Sequence, residues 1–252
     1  MILAIDMGNT NIVLGGIDEK QTYFIERVTT DQGRTDTEYA IHFKNILEMH
    51  HIQLSDIEGA ILSSVVPPLN TTILNAVEKA VGIRPLLVGS GMKTGMNILM
   101  DNPKSVGSDM IVDVVAAIHE HPLPLVVIDM GTATTLSVAD KKGNYIGGVI
   151  LPGLRVSLSG KTAQLPYISL EVPNKVIGKN TIDCMRAGIV FSNVDMIDGI
   201  LDRMEKELGE TPTVIATGGL ARFITPLCRH EIIFDDALLL KGLLILYRKN
   251  TQ

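Results

Sequence analysis

The sequence predicts an α/β protein made of two similar halves with an active cleft between them. Three observations carry that expectation. Short apolar runs alternate with segments of helical periodicity along the chain. A strand-and-turn motif occurs twice, about half a chain apart, and a proline-rich break, His121-Pro122-Leu123-Pro124, separates the copies. Residues 2–11 read Ile-Leu-Ala-Ile-Asp6-Met7-Gly8-Asn9-Thr10-Asn11, and residues 125–134 read Leu-Val-Val-Ile-Asp129-Met130-Gly131-Thr132-Ala133-Thr134. Each is an apolar run ending in Asp-Met-Gly, then hydroxyl or amide side chains, then a second apolar segment. Asp6 and Asp129 lie 123 residues apart in a chain of 252. A pseudo-repeat of two domains, 1–118 and 119–252, follows, each opening with a strand that runs into a tight turn.

The remaining elements follow in order. Residues 39–49 and 70–81 have helical character, while 59–65 and 85–88 read as short buried strands. Residues 109–118 place Ile111, Val114, Val115 and Ile118 on one helical face. In the second half, Val194, Ile197, Leu201, Met204 and Leu208 keep the spacing of an amphipathic helix, which Gly209 stops. Residues 213–216 form a short strand running into Thr217-Gly218-Gly219, and the nearly apolar stretch 237–247 closes the chain as a buried helix. Alternating strands and helices of this kind place an active cleft between domains.

Composition removes several function classes. Hydrophobic residues make up 46% and charged residues 20%, with a mean hydropathy of +0.27, which excludes extended disorder. A net charge of −6, with no basic run, argues against a nucleic-acid partner, because neutralising phosphates takes clustered Lys and Arg. The uncharged stretch 59–77 is interrupted by Pro67, Pro68 and several Asn and Thr residues, which a membrane span would not carry. The opening residues have no basic segment ahead of Asp6 and read as a strand, neither signal peptide nor anchor. Two cysteines, Cys184 and Cys228, make neither a disulfide framework nor a tetrahedral zinc site, so a reducing cytoplasm is the expected location.

The doubled turn is the first candidate for chemistry. Backbone N–H groups meet a phosphate at short range only where no Cβ obstructs them, which Gly8 and Gly131 permit. Asn9, Thr10 and Asn11 in one copy, and Thr132, Thr134 and Thr135 in the other, add side-chain donors. An acid at each strand end repels phosphate unless a cation stands between them, so Asp6 and Asp129 read as metal-facing carboxylates, with magnesium held partly through water. The competing reading is ordinary Asp-X-Gly turn chemistry.

Asp109, in Gly107-Ser108-Asp109-Met110, opens a helix. It reads either as a favourable acid at a helix N-terminus with Ser108 as the cap, or as a general base that takes the proton of an attacking alcohol. Thr217-Gly218-Gly219 reads either as a strand-to-helix turn or as a flat seat for adenosine. The segment Gly89-Ser-Gly91-Met-Lys93-Thr-Gly95 fits neither a dinucleotide fingerprint nor a P-loop. His119-Glu120-His121 reads as a solvated helix end, and there is no G-x-S-x-G nucleophile elbow.

Taken in order and spacing, the three glycine sites resemble the phosphate-one, phosphate-two and adenosine motifs of the acetate and sugar kinase/Hsp70/actin superfamily. Within it the chain is similar to the type III pantothenate kinase family. The resemblance covers essentially the whole chain: Asp6 to Asn11, Lys93-Thr-Gly95, Asp101-Asn-Pro103, Gly107-Ser-Asp109, Asp129 to Thr134, Gly147-Gly148, Pro152-Gly-Leu154, Thr162-Ala-Gln-Leu-Pro166, Gly178 to Thr181, Thr217-Gly-Gly219 and Leu240 to Leu243.

The resemblance implies two similar actin-like (ribonuclease H-like) domains with an interdomain nucleotide cleft. It implies a cytoplasmic kinase that moves the γ-phosphate of ATP to the primary hydroxyl of pantothenate, the first step toward coenzyme A. By position, Asp6, Met7, Gly8, Asn9, Thr10, Asn11, Ile12, Val13 and Thr132 hold the ATP phosphates, Gly218 and Gly219 the adenosine, and Asp109 is the catalytic base. Asp129 binds a monovalent cation, potassium or ammonium, and magnesium accompanies the nucleotide near Asp6. Met100, Gly107, Ser108, Asp109, Met110 and Thr181 fall at substrate-contact positions, Thr181 at the subunit interface of a homodimer.

Two positions depart from the family pattern. Met100 stands where Tyr is usual and Met110 where Arg is usual. An arginine pairs a carboxylate through two parallel hydrogen bonds, and a methionine offers none. Two alternatives therefore stand beside the pantothenate kinase: a kinase for an alcohol without a carboxylate, and a catalytically weak paralogue that binds nucleotide or metabolite as a regulator.

Overall fold

The computed structural model describes residues 1–153 and 171–251. Of the family-like segments, Leu154 and Thr162 to Pro166 lie outside the described residues. The chain divides into two units. The first comprises Met1–Met96, Asp101–His119 and Ala237–Gln252; the second comprises Asn97–Met100 and Glu120–Asp236.

The first unit holds a five-stranded sheet of β1 (Ile2–Met7), β2 (Asn11–Ile17), β3 (Thr22–Thr29), β4 (Gly59–Ser64) and β5 (Leu86–Leu87), in the order β3-β2-β1-β4-β5. β1 pairs antiparallel with β2 and parallel with β4. One face is covered by α1 (Asp36–Met49) and α2 (Asn70–Val81). α1 starts at a capping box in which Thr35 and Glu38 satisfy each other's backbone N–H groups. Leu3, Ile5, Met7, Ile12 and Leu14 pack there with Tyr39, Phe43, Leu47, Ile73 and Val77.

The other face carries α3 (Ser108–Glu120) and α6 (Leu238–Thr251), with Ile2, Ala4 and Ile61 packed against Val112, Val115, Leu240 and Leu243. The sequence assigns 237–252 to the second half, and the described contacts place it in the first. Its apolar side has a ready surface on the face of β1 and β4 opposite α1 and α2, and Gly242 lets α6 approach so closely that a Cβ would strike the Val112 carbonyl. The boundary expected at 118/119 falls one residue before the second segment of the first unit ends at His119, and the chain returns to that unit at Ala237.

The second unit repeats the sheet. β6 (Leu125–Met130), β7 (Ala133–Ala139), β8 (Tyr145–Pro152), β9 (Thr213–Thr217) and β10 (Ile232–Phe234) are ordered β8-β7-β6-β9-β10, with the same parallel and antiparallel senses. β1 and β6 show the same sequence of buried and half-buried residues, as do β2 and β7. Even the register irregularity recurs, at Gly16/Ile17 and at Val138/Ala139. These are the two similar domains that the repeat predicts.

α4 (Thr181–Leu208) covers one face of this sheet, burying Val190, Val194, Ile197 and Leu201 against Val126, Ile128 and Met130. It begins where Asn180 Oδ1 accepts the Asp183 N–H and stops at Gly209, as expected, but extends further toward the N-terminus than the apolar spacing indicates. A short helix, α5 (Ala221–Ile224), follows β9.

α4 is tied to the segment before β10 through Asp198, which is 1% exposed. Its carboxylate accepts the Arg229 N–H at 2.9 Å and His230 Nδ1 at 2.9 Å. Burial alone raises the Asp198 pKa, but these hydrogen bonds outweigh it and hold the carboxyl below its usual value. Asp198→Ala is expected to cost about 3 kcal/mol at neutral pH, because it strands buried donors. A carboxylate with a depressed pKa contributes stability that is complete above its unfolded value of about 3.9 and lost as pH falls through the folded one. Urea denaturation across pH should therefore show the deficit narrowing below about pH 4.

Candidate active site

Period-two alternation positions the first acid. Leu3, Ile5 and Met7 of β1 are buried toward α1 and α2, so Asp6 takes the opposite face, half-buried, one residue before the strand ends. The same logic places Asp129 opposite Val126, Ile128 and Met130 at the end of β6. Met7, Ile12 and Met130 are core residues, so Met7 and Ile12 offer a ligand only their backbone. Val13 and Asn11 are half-buried on β2, and Asn9 and Thr10 are exposed at the turn.

The two turns are not equal. Asp6 pairs with Val13 and Met7 with Ile12, leaving Gly8 to Asn11 to close the first hairpin. Asp129 pairs with Thr135 and Met130 with Thr134, so the second hairpin closes through Gly131, Thr132 and Ala133, one residue fewer. Thr134, expected as a donor at this mouth, instead lies on β7 with Leu136 and Val138. It is 1% exposed, and its hydroxyl has no hydrogen-bond partner among the described residues. Thr132 is exposed at the turn itself.

Asp109 reaches the same region of the first unit by a different route. β4 ends in Ser63 and Ser64, which pair with Asp6 and Met7. The Ser108 hydroxyl lies 3.0 Å from Ser63 Oγ, accepts the Ser64 N–H at 3.1 Å and donates to the Ser64 carbonyl at 2.9 Å. Ser108 is therefore no N-cap, contrary to one expectation. Its hydroxyl pins the start of α3 to the strand beside β1, and the next residue is Asp109. Burial pushes the Asp109 carboxyl above its usual pKa, opposed by the Met110 N–H that Oδ1 accepts at 2.8 Å. The structure thus brings the Asp6 turn together with Gly107, Ser108, Asp109 and Met110 in one unit.

In the second unit, Gly218 follows β9 with φ of +91°, and a Cβ there would stand 2.6 Å from Asp129 Oδ1. Only glycine allows this approach of the Thr217-Gly218-Gly219 turn to the end of β6. Asp129 and Gly218 are accordingly adjacent, as the register of Asp129 with Thr217 requires, and Gly219 follows with open space where a Cβ would stand. Met100 lies beside Gly147, and Thr181 is exposed at the first turn of α4.

Ser63, Ser64 and Thr30 are site-forming residues that sequence reasoning missed. The signal for the serines was a strand-like apolar run that turns to hydroxyls at its end. Thr30 donates from Oγ1 to the Gly8 carbonyl at 2.7 Å and from its N–H to the Thr10 carbonyl at 2.9 Å, and nothing in local spacing marks it.

Among the described residues, no group of three or more His, Cys, Asp or Glu side chains is arranged to hold a metal ion. The donors at each turn, one carboxylate beside backbone amides, suit a cation that keeps much of its shell as water and phosphate oxygen. A cage built wholly of protein ligands is not what these residues form.

The family model for type III pantothenate kinase matches residues 2–203. A type III pantothenate kinase from Bacillus cytotoxicus is 44% identical over 253 aligned residues, covering 99% of this chain and 97% of its own. Two solved structures share the fold. Component A of (R)-2-hydroxyglutaryl-CoA dehydratase from Acidaminococcus fermentans has a TM-score of 0.59 at 17% identity, covering 100% of this chain and 99% of its own. The activator of 2-hydroxyisocaproyl-CoA dehydratase from Clostridium difficile, with bound ADPNP, has a TM-score of 0.52 at 15% identity, covering 98% and 93%. A duplicated sheet with an acid-bearing turn in each copy is thus joined to a sequence match along nearly the whole chain, and the chain belongs to the type III pantothenate kinase family.

Proposed function

We propose that the chain transfers the γ-phosphate of ATP to the primary hydroxyl of pantothenate, the first step toward coenzyme A, with Asp109 as general base. The observation that carries this reading is Asp109 itself: a half-buried carboxylate with a raised pKa, at the start of a helix that Ser108 anchors beside the Asp6 turn. One carboxylate oxygen is engaged by the Met110 N–H, and the other is the acceptor for a substrate proton. The hydroxyl oxygen forms a bond to the γ-phosphorus as the bond to the β–γ bridging oxygen breaks. ADP leaves with that electron pair, and the hydroxyl proton passes to Asp109. Because the transition state is loose, orientation of the two reactants supplies most of the rate.

The turn from Asp6 to Val13, with Thr132, holds the ATP phosphates, and Gly218 and Gly219 seat the adenosine. Magnesium, held near Asp6, neutralises phosphate charge when bound, and Asp129 holds a monovalent cation, potassium or ammonium. Gly107, Ser108, Met110, Met100 and Thr181 border the acceptor. The protein acts in the cytoplasm, with no membrane or nucleic-acid partner. No helix among the described residues is long and apolar enough to cross a membrane.

A homodimer is supported by exposed apolar side chains around Thr181. Ile177 is 82% exposed and Val176 67%, beside a groove lined by Cys184, Ala187 and Phe191. Ile177→Asp is expected to shift the protein from dimer to monomer in light scattering, with its melting temperature retained; an unchanged dimer refutes this interface.

A second reading, a kinase for an alcohol without a carboxylate, is favoured by Met100 and Met110 alone. The assay that separates them is ADP release with magnesium and potassium, offering pantothenate and a panel of other alcohols. Transfer to pantothenate supports the main reading. Transfer to another alcohol only supports the second, and transfer to none leaves a regulator.

Asp109→Asn is expected to lower kcat about 10²–10⁴-fold while changing the KM for ATP little, as measured by coupled ADP release. Because ionised Asp109 is the active form and burial raises its pKa, kcat/KM should fall on the acid side at a pH above the usual carboxylate range. Met110→Arg is expected to lower the KM for pantothenate about tenfold by adding a bidentate partner for its carboxylate. No change in KM would place that carboxylate elsewhere.

A further inference from the structure

Among the described residues, the two turns are backed differently. Thr30, the residue after β3, donates from Oγ1 to the Gly8 carbonyl at 2.7 Å and from its N–H to the Thr10 carbonyl at 2.9 Å. The corresponding residue after β8 is Gly153, whose backbone sits so near the Thr132 carbonyl that any Cβ would collide with it. The longer hairpin is therefore gripped by a side chain, and the shorter one is backed by bare main chain.

The grip has a directional consequence. In a two-residue hairpin the Gly8 carbonyl would point across to the Asn11 N–H. Here it is drawn toward β3 instead, although Gly8 still donates its own N–H to the Asn11 carbonyl at 3.0 Å. A trans peptide holds its C=O and N–H antiparallel. Fixing the Gly8 and Thr10 carbonyls on Thr30 therefore turns the Asn9 and Asn11 N–H groups away from it. A polyphosphate is repelled by carbonyl oxygens and attracted by a concave set of N–H groups, so the turn is set for an anion before one arrives.

Thr30 is itself held. Fully buried Tyr39 accepts the Asp31 N–H at 2.8 Å and donates to the Asp31 carbonyl at 2.9 Å, which fixes the chain immediately after Thr30. Neither residue need touch a substrate.

We propose that Thr30, steadied by Tyr39, is a positioning residue that presets the Asn9 and Asn11 amides of the first turn for the phosphates of a nucleoside triphosphate. This rests on the kinase reading above, and it distinguishes the role of the side chain from that of the turn. Thr30→Val removes the Oγ1 donor and keeps the shape and the N–H. It is expected to raise the KM for ATP and the Kd for ADP, measured by calorimetry, about tenfold. The KM for pantothenate and the melting temperature stay near wild type. Thr30→Ser, which restores the hydroxyl, should return both nucleotide constants to within about twofold.

Tyr39→Phe loosens the same segment and should weaken nucleotide binding in the same direction; it carries the test if Thr30→Val does not fold. Unchanged nucleotide constants in Thr30→Val, or in Tyr39→Phe where that variant stands in, overturn the proposal. So does a loss of pantothenate and nucleotide binding in equal measure, which marks a purely structural residue. A wild-type protein that binds no nucleotide would instead remove the kinase reading, and this inference with it.

Discussion

In each domain the middle strand sends its side chains alternately to two faces, and this alternation governs where the chemistry stands. Leu3, Ile5 and Met7 are spoken for by the core with α1 and α2, so Asp6 has one position open to it: the other face, at the strand's end. A slip of one residue in register would drive an ionised carboxylate among Tyr39, Phe43 and Ile73 and expel three large apolar side chains from that core. Burying an unpaired charge costs several kcal/mol, more than a turn gains by moving. The register is therefore fixed by burial, and the turn after Asp6, its pairing with Ser63 and the reach of Thr30 all follow from it.

Hydrogen bonding then converts a strand end into a site. The end of a sheet leaves backbone groups that must find partners, and the first unit supplies them from three directions. Thr30 takes two turn carbonyls, Ser108 takes the N–H and C=O of Ser64, and Met110 donates to Asp109. Each bond is modest alone. Together they hold a turn and a helix start at one edge of the sheet, which is what positioning chemistry needs. Asp109 is the titrating member of this set: burial opposes its charge, and the Met110 N–H and its own backbone N–H favour it.

The two domains preserve one architecture and differ at the turns that follow their middle strands. Strand order, pairing sense, burial pattern and even the bulge position recur. The turns do not: four residues close one hairpin and three the other, a threonine backs one and a glycine the other. Among the described residues the helices differ as well: α4 covers one face of the second sheet, whereas the first sheet has helices on both faces, including one from the far end of the chain. Duplication thus conserves what packing requires, and leaves the loops at the strand ends free to diverge, as loops on a rigid scaffold do.

What the sequence determined by itself was everything written in short-range periods. The doubled Asp-Met-Gly run gave the two strand ends; the spacing from Val194 to Leu208 and the stop at Gly209 gave most of α4; and 70–81 matched α2, because strand and helix formation depend on residues within a few positions. The tertiary structure alone decided the rest. It took the closing helix 238–251 to the first sheet, turned the Thr134 hydroxyl into the core, and sent the Ser108 hydroxyl to a strand 44 residues earlier and Thr30 to a turn 22 residues before it. A hydroxyl has the same donor and acceptor whichever partner it meets, and an apolar helix face fits any exposed apolar sheet. Such choices are set by which surfaces the folded chain brings within 3 Å, a quantity that no local spacing contains.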